Sequence, residues 1–189
     1  MPSLALTTHL EALLHDAEEL SAAHTRLSTG NRGRQWGLGA INRAAVVLCV
    51  SAWEAYLEEV LRESLRCLRP STGAVGTWST LNAMVENQIV RFNAPNVENT
   101  ARLFKECLGL PDVTENWRWR NCSRSAARIY LNQALQRRHQ IAHGVNPRPA
   151  IPHAYSGWLP HFFRNLATRT DAAVSIHLGV MAELPSPPW

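Results

Sequence analysis

The feature that most constrains this chain is one long apolar-periodic run over residues 40–68. In it Ala44, Val47, Leu48, Ser51, Ala55, Leu57 and Leu61, then Leu65 and Leu68, recur at helical spacings. Thirty residues of helix at 1.5 Å rise would span about 45 Å, the longest rod in the protein. Its second half pairs Glu58 with Arg62 at i,i+4, Arg66 and Arg69 sit where cations favour a helix end, and Arg69-Pro70 stops it. The rest of the chain reads as shorter helices. Leu10, Leu13, Leu14 and Leu20 mark one over residues 4–27, and a weaker one covers 79–92. Another runs over 97–109, with Asn96 as N-cap and Gly109 near its end. A further helix over 123–143 is followed at once by Gly144, and a last one covers 159–180. Loops fill 28–39, where Asn31-Arg32-Gly33-Arg34 sits among glycines, 111–121, and the proline-rich 147–152. Short β-branched alternations bounded by turns are absent. The expectation is an all-α bundle of about five helices around one long central helix, a single domain over residues 1–189 without internal repeats.

Composition narrows the class. The chain has 189 residues, 46% hydrophobic and 18% charged, enough apolar content for a folded core. No run of about 18 apolar residues predicts a membrane span, and Met1-Pro2-Ser3-Leu4 does not resemble a secretory signal. Cys49, Cys67, Cys107 and Cys122 are scattered without a Cys-x-x-Cys pair, which argues against a disulfide framework or zinc ribbon and suits a reducing cytoplasm. Charge is uneven. Residues 1–100 carry 8 basic and 10 acidic groups, whereas residues 101–189 carry 11 and 5. Of the 19 basic residues 18 are arginine, and guanidinium forks match phosphate oxygens in pairs.

The informative stretch is Leu135-Gln136-Arg137-Arg138-His139-Gln140-Ile141-Ala142-His143-Gly144. Arg138 offers a permanent cation with five donors, and His143 a side chain that titrates near neutrality. A metal-free ribonuclease needs no more than this: one group to move the proton of the ribose 2′-hydroxyl or the leaving 5′-oxygen, another to stabilise charge on the phosphorane. Residues i and i+5 are rotated by about 140° around a helix. Arginine's long stem, fraying at Gly144, or a second copy of the chain must then bring the groups together. The plain alternative is that His143 caps the helix C-terminus, with Arg137 and Arg138 as surface charges.

Arg138-His139-x-x-x-His143 resembles the R-x4-6-H signature of the HEPN superfamily, in which a polar residue often follows the arginine. The ending Ile141-Ala142-His143-Gly144 is similar to the typical helix end of that superfamily. Val50-Ser51-Ala52-Trp53-Glu54-Ala55-Tyr56-Leu57 resembles a small–aromatic–Glu–x–aromatic–Leu segment of its long-helix groups, of which the RiboL-PSP-HEPN type is nearest. The resemblance implies a helical bundle that homodimerises so that two motifs face one cleft. It also implies metal-independent cleavage of RNA to 2′,3′-cyclic phosphate and 5′-hydroxyl ends, without a cofactor. Such proteins resemble toxins of toxin–antitoxin pairs or of anti-phage defence, so a cognate antitoxin is an implied partner. Carried onto this chain, Arg138 and His143 take the catalytic roles, and His139 orients them or touches phosphate. R-x5-H from Arg137 also satisfies the pattern. Glu54, among Val50, Trp53 and Leu57, is either a surface acid or a partly buried carboxylate that hydrogen-bonds Arg138 or His139.

Trp117-Arg118-Trp119-Arg120, continuing through Arg124 and Arg128, interleaves aromatics with guanidinium groups. This suits bases stacked on indoles and a backbone held by arginines, with Arg137 as a further RNA contact. The plainer reading packs the tryptophans against the bundle. Arg32 and Arg34 are further phosphate-contact candidates. The histidines elsewhere (His9, His15, His24, His153, His161, His177) show no zinc spacing. There is no Gly-x-Ser-x-Gly elbow, no G-K-[ST] loop and no D-x-D pair. No metal site is expected. The rival class is a catalytically silent helical module that binds RNA, a nucleotide or a partner protein.

Overall fold

The computed structural model describes residues 1–29, 37–70, 73, 75–145, 147 and 149–189. Among them six α-helices run in order: α1 Glu11–Leu27, α2 Leu38–Cys67, α3 Val75–Val90, α4 Val97–Leu108, α5 Arg124–Ala142 and α6 His153–Met181. A π-helical segment, Ala5–Leu10, leads into α1, and a 3-10 turn, Val113–Asn116, lies between α4 and α5. The described residues contain no strand, only an isolated bridge between Trp119 and Cys122. No helix among them is long and apolar enough to cross a membrane.

The central rod is α2. Its buried residues include Val46, Cys49, Val50, Trp53, Tyr56, Leu57, Val60, Leu61 and Leu65, which recur three and four residues apart and form one broad face along the whole rod. The helix packs against α1, α5 and α6, with lesser contacts to α3 and α4. Each fully buried large side chain of this kind stabilises the fold by about 1.5–3 kcal/mol. An aromatic seam crosses the bundle. Trp53 of α2 meets the edge of Trp117 at 6.0 Å between centroids, and Phe163 of α6 at 6.2 Å. Phe162 of α6 stacks near Trp158 at 4.9 Å and Trp119 at 5.9 Å.

Two differences from expectation concern the bounds of α3 and the start of α6. The helix expected over 79–92 runs over Val75–Val90, starting about one turn earlier. Its apolar stripe is thin: Val85 and Ile89 are buried while Leu81, Met84 and Val90 are exposed. The last helix begins at His153 and not near 159, so Pro160 lies in its interior. An interior proline costs about 3 kcal/mol relative to alanine. Leu159, Phe162, Phe163 and Leu166, all fully buried, outweigh that cost.

Polar clamps tie the helices to one another. Arg164 of α6 holds Glu11 of α1 through one guanidinium edge, Nε at 2.8 Å and Nη2 at 2.9 Å, and reaches Glu18 at 3.0 Å. Arg62 of α2 donates to Glu59 at 2.6 Å and to Glu86 of α3 at 3.3 Å, so the expected i,i+4 partner Glu58, at 3.5 Å, is its most distant. The N-terminal segment is tied to the core by Asp171 of α6. This buried carboxylate accepts from the Ser3 hydroxyl and backbone N–H and from the Tyr56 hydroxyl, while Glu63 accepts from the N–H groups of Leu4 and Ala5.

Candidate functional site

Helix α5 is defined at both ends by side-chain and backbone caps. The Ser123 hydroxyl accepts from the Ala126 N–H at 3.2 Å, and the helix ends at Gly144 with φ 70°. There the Gly144 N–H donates to the Ile141 carbonyl and the Val145 N–H to the Gln140 carbonyl, the paired bonds of a Schellman ending. A residue with a Cβ would be strained at that φ, so glycine sets where the helix stops and leaves His143 as its C-cap.

One face of α5, Ala127, Leu131 and Ala134, is buried. Asn132, Leu135, Gln136 and His139 occupy another face, at i, i+3, i+4 and i+7. With Arg138 they form one wall of a cleft of about 400 Å³. The opposite wall is the segment before and into α4, with Asn93, Ala94, Pro95, Asn96 and Glu98, and Val50 of α2 contributes to the floor. That wall is rigidly built. The buried Trp53 indole donates to the Pro95 carbonyl at 3.1 Å, Asn99 donates to the Ala94 carbonyl at 2.9 Å, and Asn96 caps α4. The Val97 N–H donates to Asn132 Oδ1 at 3.2 Å, tying the two walls together.

Arg138 and His139 therefore share a cleft. His143 does not line it, but its ring centroid lies 4.2 Å from that of His139. The i+5 rotation expected from the sequence is thus bridged by His139, which adjoins both. None of the three side chains makes a hydrogen bond or ion pair to a described residue, and both histidines are exposed. Glu54, half-buried on α2, forms no hydrogen bond to Arg138 or His139, contrary to the expectation. It is coupled through space: burial pushes its carboxyl above the usual range, and the Arg138 guanidinium partly offsets this.

The two adjacent arginines part company. Arg137 lies over the Tyr155 ring at 3.9 Å, against α6, and lines no wall of the cleft. Its expected RNA role is thereby corrected, because a guanidinium stacked into the helix interface is not presented to a polymer. Arg138 is the arginine that faces the cleft.

The Trp-Arg run also divides. Trp117 is completely buried, its indole donating to Thr170 at 2.9 Å, so it cannot stack on a base. Arg124 is held by Asp112 at 2.6 Å rather than offered to phosphate. Trp119 is half-buried beside Phe162, while Arg118 and Arg120 are exposed. Arg32 and Arg34 lie outside the described residues. The Asn-Glu wall, residues 93–98, carries no functional motif in the sequence, where Asn96 signals only a cap. On α5 the spacing 132, 136, 139 carries the signal. Among the described residues no three His, Cys, Asp or Glu side chains form a group that could hold a metal ion.

These features have a counterpart among protein families. The RiboL-PSP-HEPN family model matches residues 11–174, from the start of α1 into α6, and so includes both the Trp53–Tyr56 segment and the Arg138–His143 helix end. No curated protein and no solved structure matches the chain. An all-α bundle built on a long central helix, matched by that family over most of its length, belongs to the RiboL-PSP-HEPN family of the HEPN superfamily.

Proposed function

We propose that this chain is a metal-independent endoribonuclease. The observation that carries the reading is the Arg138–His139–His143 run at the end of α5, whose side chains make no hydrogen bond or ion pair to a described residue and of which Arg138 and His139 line a cleft, in a family whose domains are often nucleases. In the proposed reaction His143 takes the proton of a ribose 2′-hydroxyl. The 2′-oxygen then bonds to phosphorus, and the phosphorus–5′-oxygen bond breaks. The leaving 5′-oxygen receives a proton, giving 2′,3′-cyclic phosphate and 5′-hydroxyl ends. Arg138 stabilises the charge on the phosphorane. His139 stands beside both and contacts the phosphate, and the Glu54 carboxyl acts on the Arg138 guanidinium through space. DNA, lacking the nucleophile, is spared.

His143 lies just outside the cleft of its own chain, which favours a homodimer in which the helix ends of two copies face one substrate. A role as a toxin of a toxin–antitoxin or defence system, with an antitoxin partner, rests on the family resemblance. The test is purified protein with RNA in excess chelator, with the product ends analysed. Wild type is expected to leave cyclic phosphates, and His143→Ala to be slower by about 10²–10⁴-fold. Equal cleavage by both proteins removes His143 from the reaction. Binding without turnover by wild type favours the catalytically silent module instead.

A further inference from the structure

The cleft has walls of opposite character. Arg138 supplies a cation on the α5 side, whereas the facing wall carries a carboxylate, Glu98, in the first turn of α4. Eight acidic side chains among the described residues are engaged in ion pairs or hydrogen bonds: Glu11, Glu18, Glu58, Glu59, Glu63, Glu86, Asp112 and Asp171. Glu98 is not among them, yet it lines the cleft. A free carboxylate beside a phosphate site repels the ligand unless it meets donors of the same ligand. On a nucleotide the paired donors belong to the base.

We infer that this wall is a base-reading subsite selective for guanine. The inference rests on the ribonuclease reading above. Guanine alone presents two adjacent donors, N1–H and the 2-amino group, which match both oxygens of a carboxylate. Its neighbouring O6 requires a donor. Asn96 and Asn132 have each committed Oδ1 to a backbone N–H, those of Asn99 and Val97, which leaves their Nδ2 groups to donate. Val50, Pro95 and Leu135 supply apolar surface for the base face. A cleft of about 400 Å³ lies within the range of about 300–1,000 Å³ typical of small-molecule sites. The Trp53 bond to Pro95 and the Asn96 cap fix the wall before a ligand arrives, so the selectivity is preorganised.

The experiment compares cleavage after guanosine, inosine and adenosine in otherwise identical short RNAs, alongside binding of 3′-GMP, 3′-IMP and 3′-AMP. The proteins are wild type, Glu98→Gln, and Glu106→Gln as a control on the same helix outside the cleft. Wild type is expected to favour guanosine over inosine by about tenfold in both assays. Glu98→Gln should bring that ratio near one, and Glu106→Gln should keep it. RNA cleavage with no such preference, or with a preference that Glu98→Gln retains, overturns the inference and leaves the nuclease reading standing. If wild type cuts no RNA, the nuclease reading falls and the binding assay decides. A Glu98-dependent preference for 3′-GMP then supports the subsite, and equal binding of the three nucleotides overturns it.

Discussion

Two polar clusters contact the same stretch of α2 and are built on opposite rules. On one side Tyr56 and Ser3 both donate to Asp171, and the Tyr56 hydroxyl also reaches the Ala167 carbonyl. There the groups are buried, and the carboxylate, hydroxyls and backbone N–H all have partners. On another side Glu54 and Trp53 back the Arg138 cleft, where the side chains of Arg138, His139 and His143 have no hydrogen-bonding partner among the described residues. Burial explains the contrast. An unpartnered polar group inside the bundle costs about 1–3 kcal/mol, so the Asp171 cluster must close on itself. At the edge of a cleft water fills that role, and the same groups stay available to a ligand. The first cluster holds the fold together and the second is free to do chemistry, so substitutions should affect one property and spare the other.

The sharpest separation is expected at Arg138. Arg138→Ala should lower RNA cleavage by about 10²–10³-fold, as removal of a charge-stabilising donor does. Its thermal melt should match wild type, because the side chain bonds to nothing described. A large loss of stability with activity intact would place Arg138 with the structural cluster and break the comparison. Asp171→Ala is the converse. It strands the Ser3 hydroxyl and N–H donors, while the Tyr56 hydroxyl keeps the Ala167 carbonyl, and should cost about 1–3 kcal/mol in urea unfolding, with cleavage per folded molecule unchanged.

The two clusters also differ in how far the amino-acid sequence reveals them. The α2 rod is legible because its apolar residues recur for thirty positions and Arg69-Pro70 ends them. Helix α5 is legible because Gly144 stops it, and its site residues because 138, 139 and 143 sit in its last turns. Trp117 is ambiguous in the sequence, since an indole beside arginines suits both a base platform and a core. Only the position of Thr170, on a helix 53 residues later, decides for the core. The start of α6 is obscured by Pro160, a residue that normally opens helices and here lies inside one. The 93–98 wall is hidden for a different reason. Its place opposite α5 depends on Trp53 and Asn132, contacts between segments far apart in the chain. The Ser3–Asp171 clamp is hidden in the same way, because its two ends are 168 residues apart.

The adjacent arginines offer a finer test of the same contrast. Arg137→Ala removes a cation from the face of Tyr155 and should cost about 0.5–2 kcal/mol of stability. Its effect on cleavage should be small beside that of Arg138→Ala. If Arg137→Ala instead abolishes cleavage while the melt is unmoved, the working motif is the six-residue spacing from Arg137, and the assignment of the two faces is reversed.

The smallest expected effect lies in the pH dependence of folding. Burial is the largest influence on Asp171 and pushes its carboxyl above the ordinary 3.8, helped by the nearby Glu63 charge and opposed by the hydrogen bonds from Ser3 and Tyr56. A carboxyl that holds its proton more tightly in the folded chain than in the unfolded one adds stability at low pH. That contribution is fully present below the unfolded value and is lost as pH rises through the folded one. Asp171→Asn cannot titrate, so its melting temperature should fall less than that of wild type as pH is raised from just below 3.8 toward neutrality. Glu54 and Glu58 are also raised, mainly by burial, and contribute the same slope to both proteins, so the difference between the two curves isolates Asp171. Parallel curves would mean that the Ser3 and Tyr56 bonds offset burial in full, and a wild-type curve that falls less than that of Asp171→Asn would mean that those bonds outweigh it.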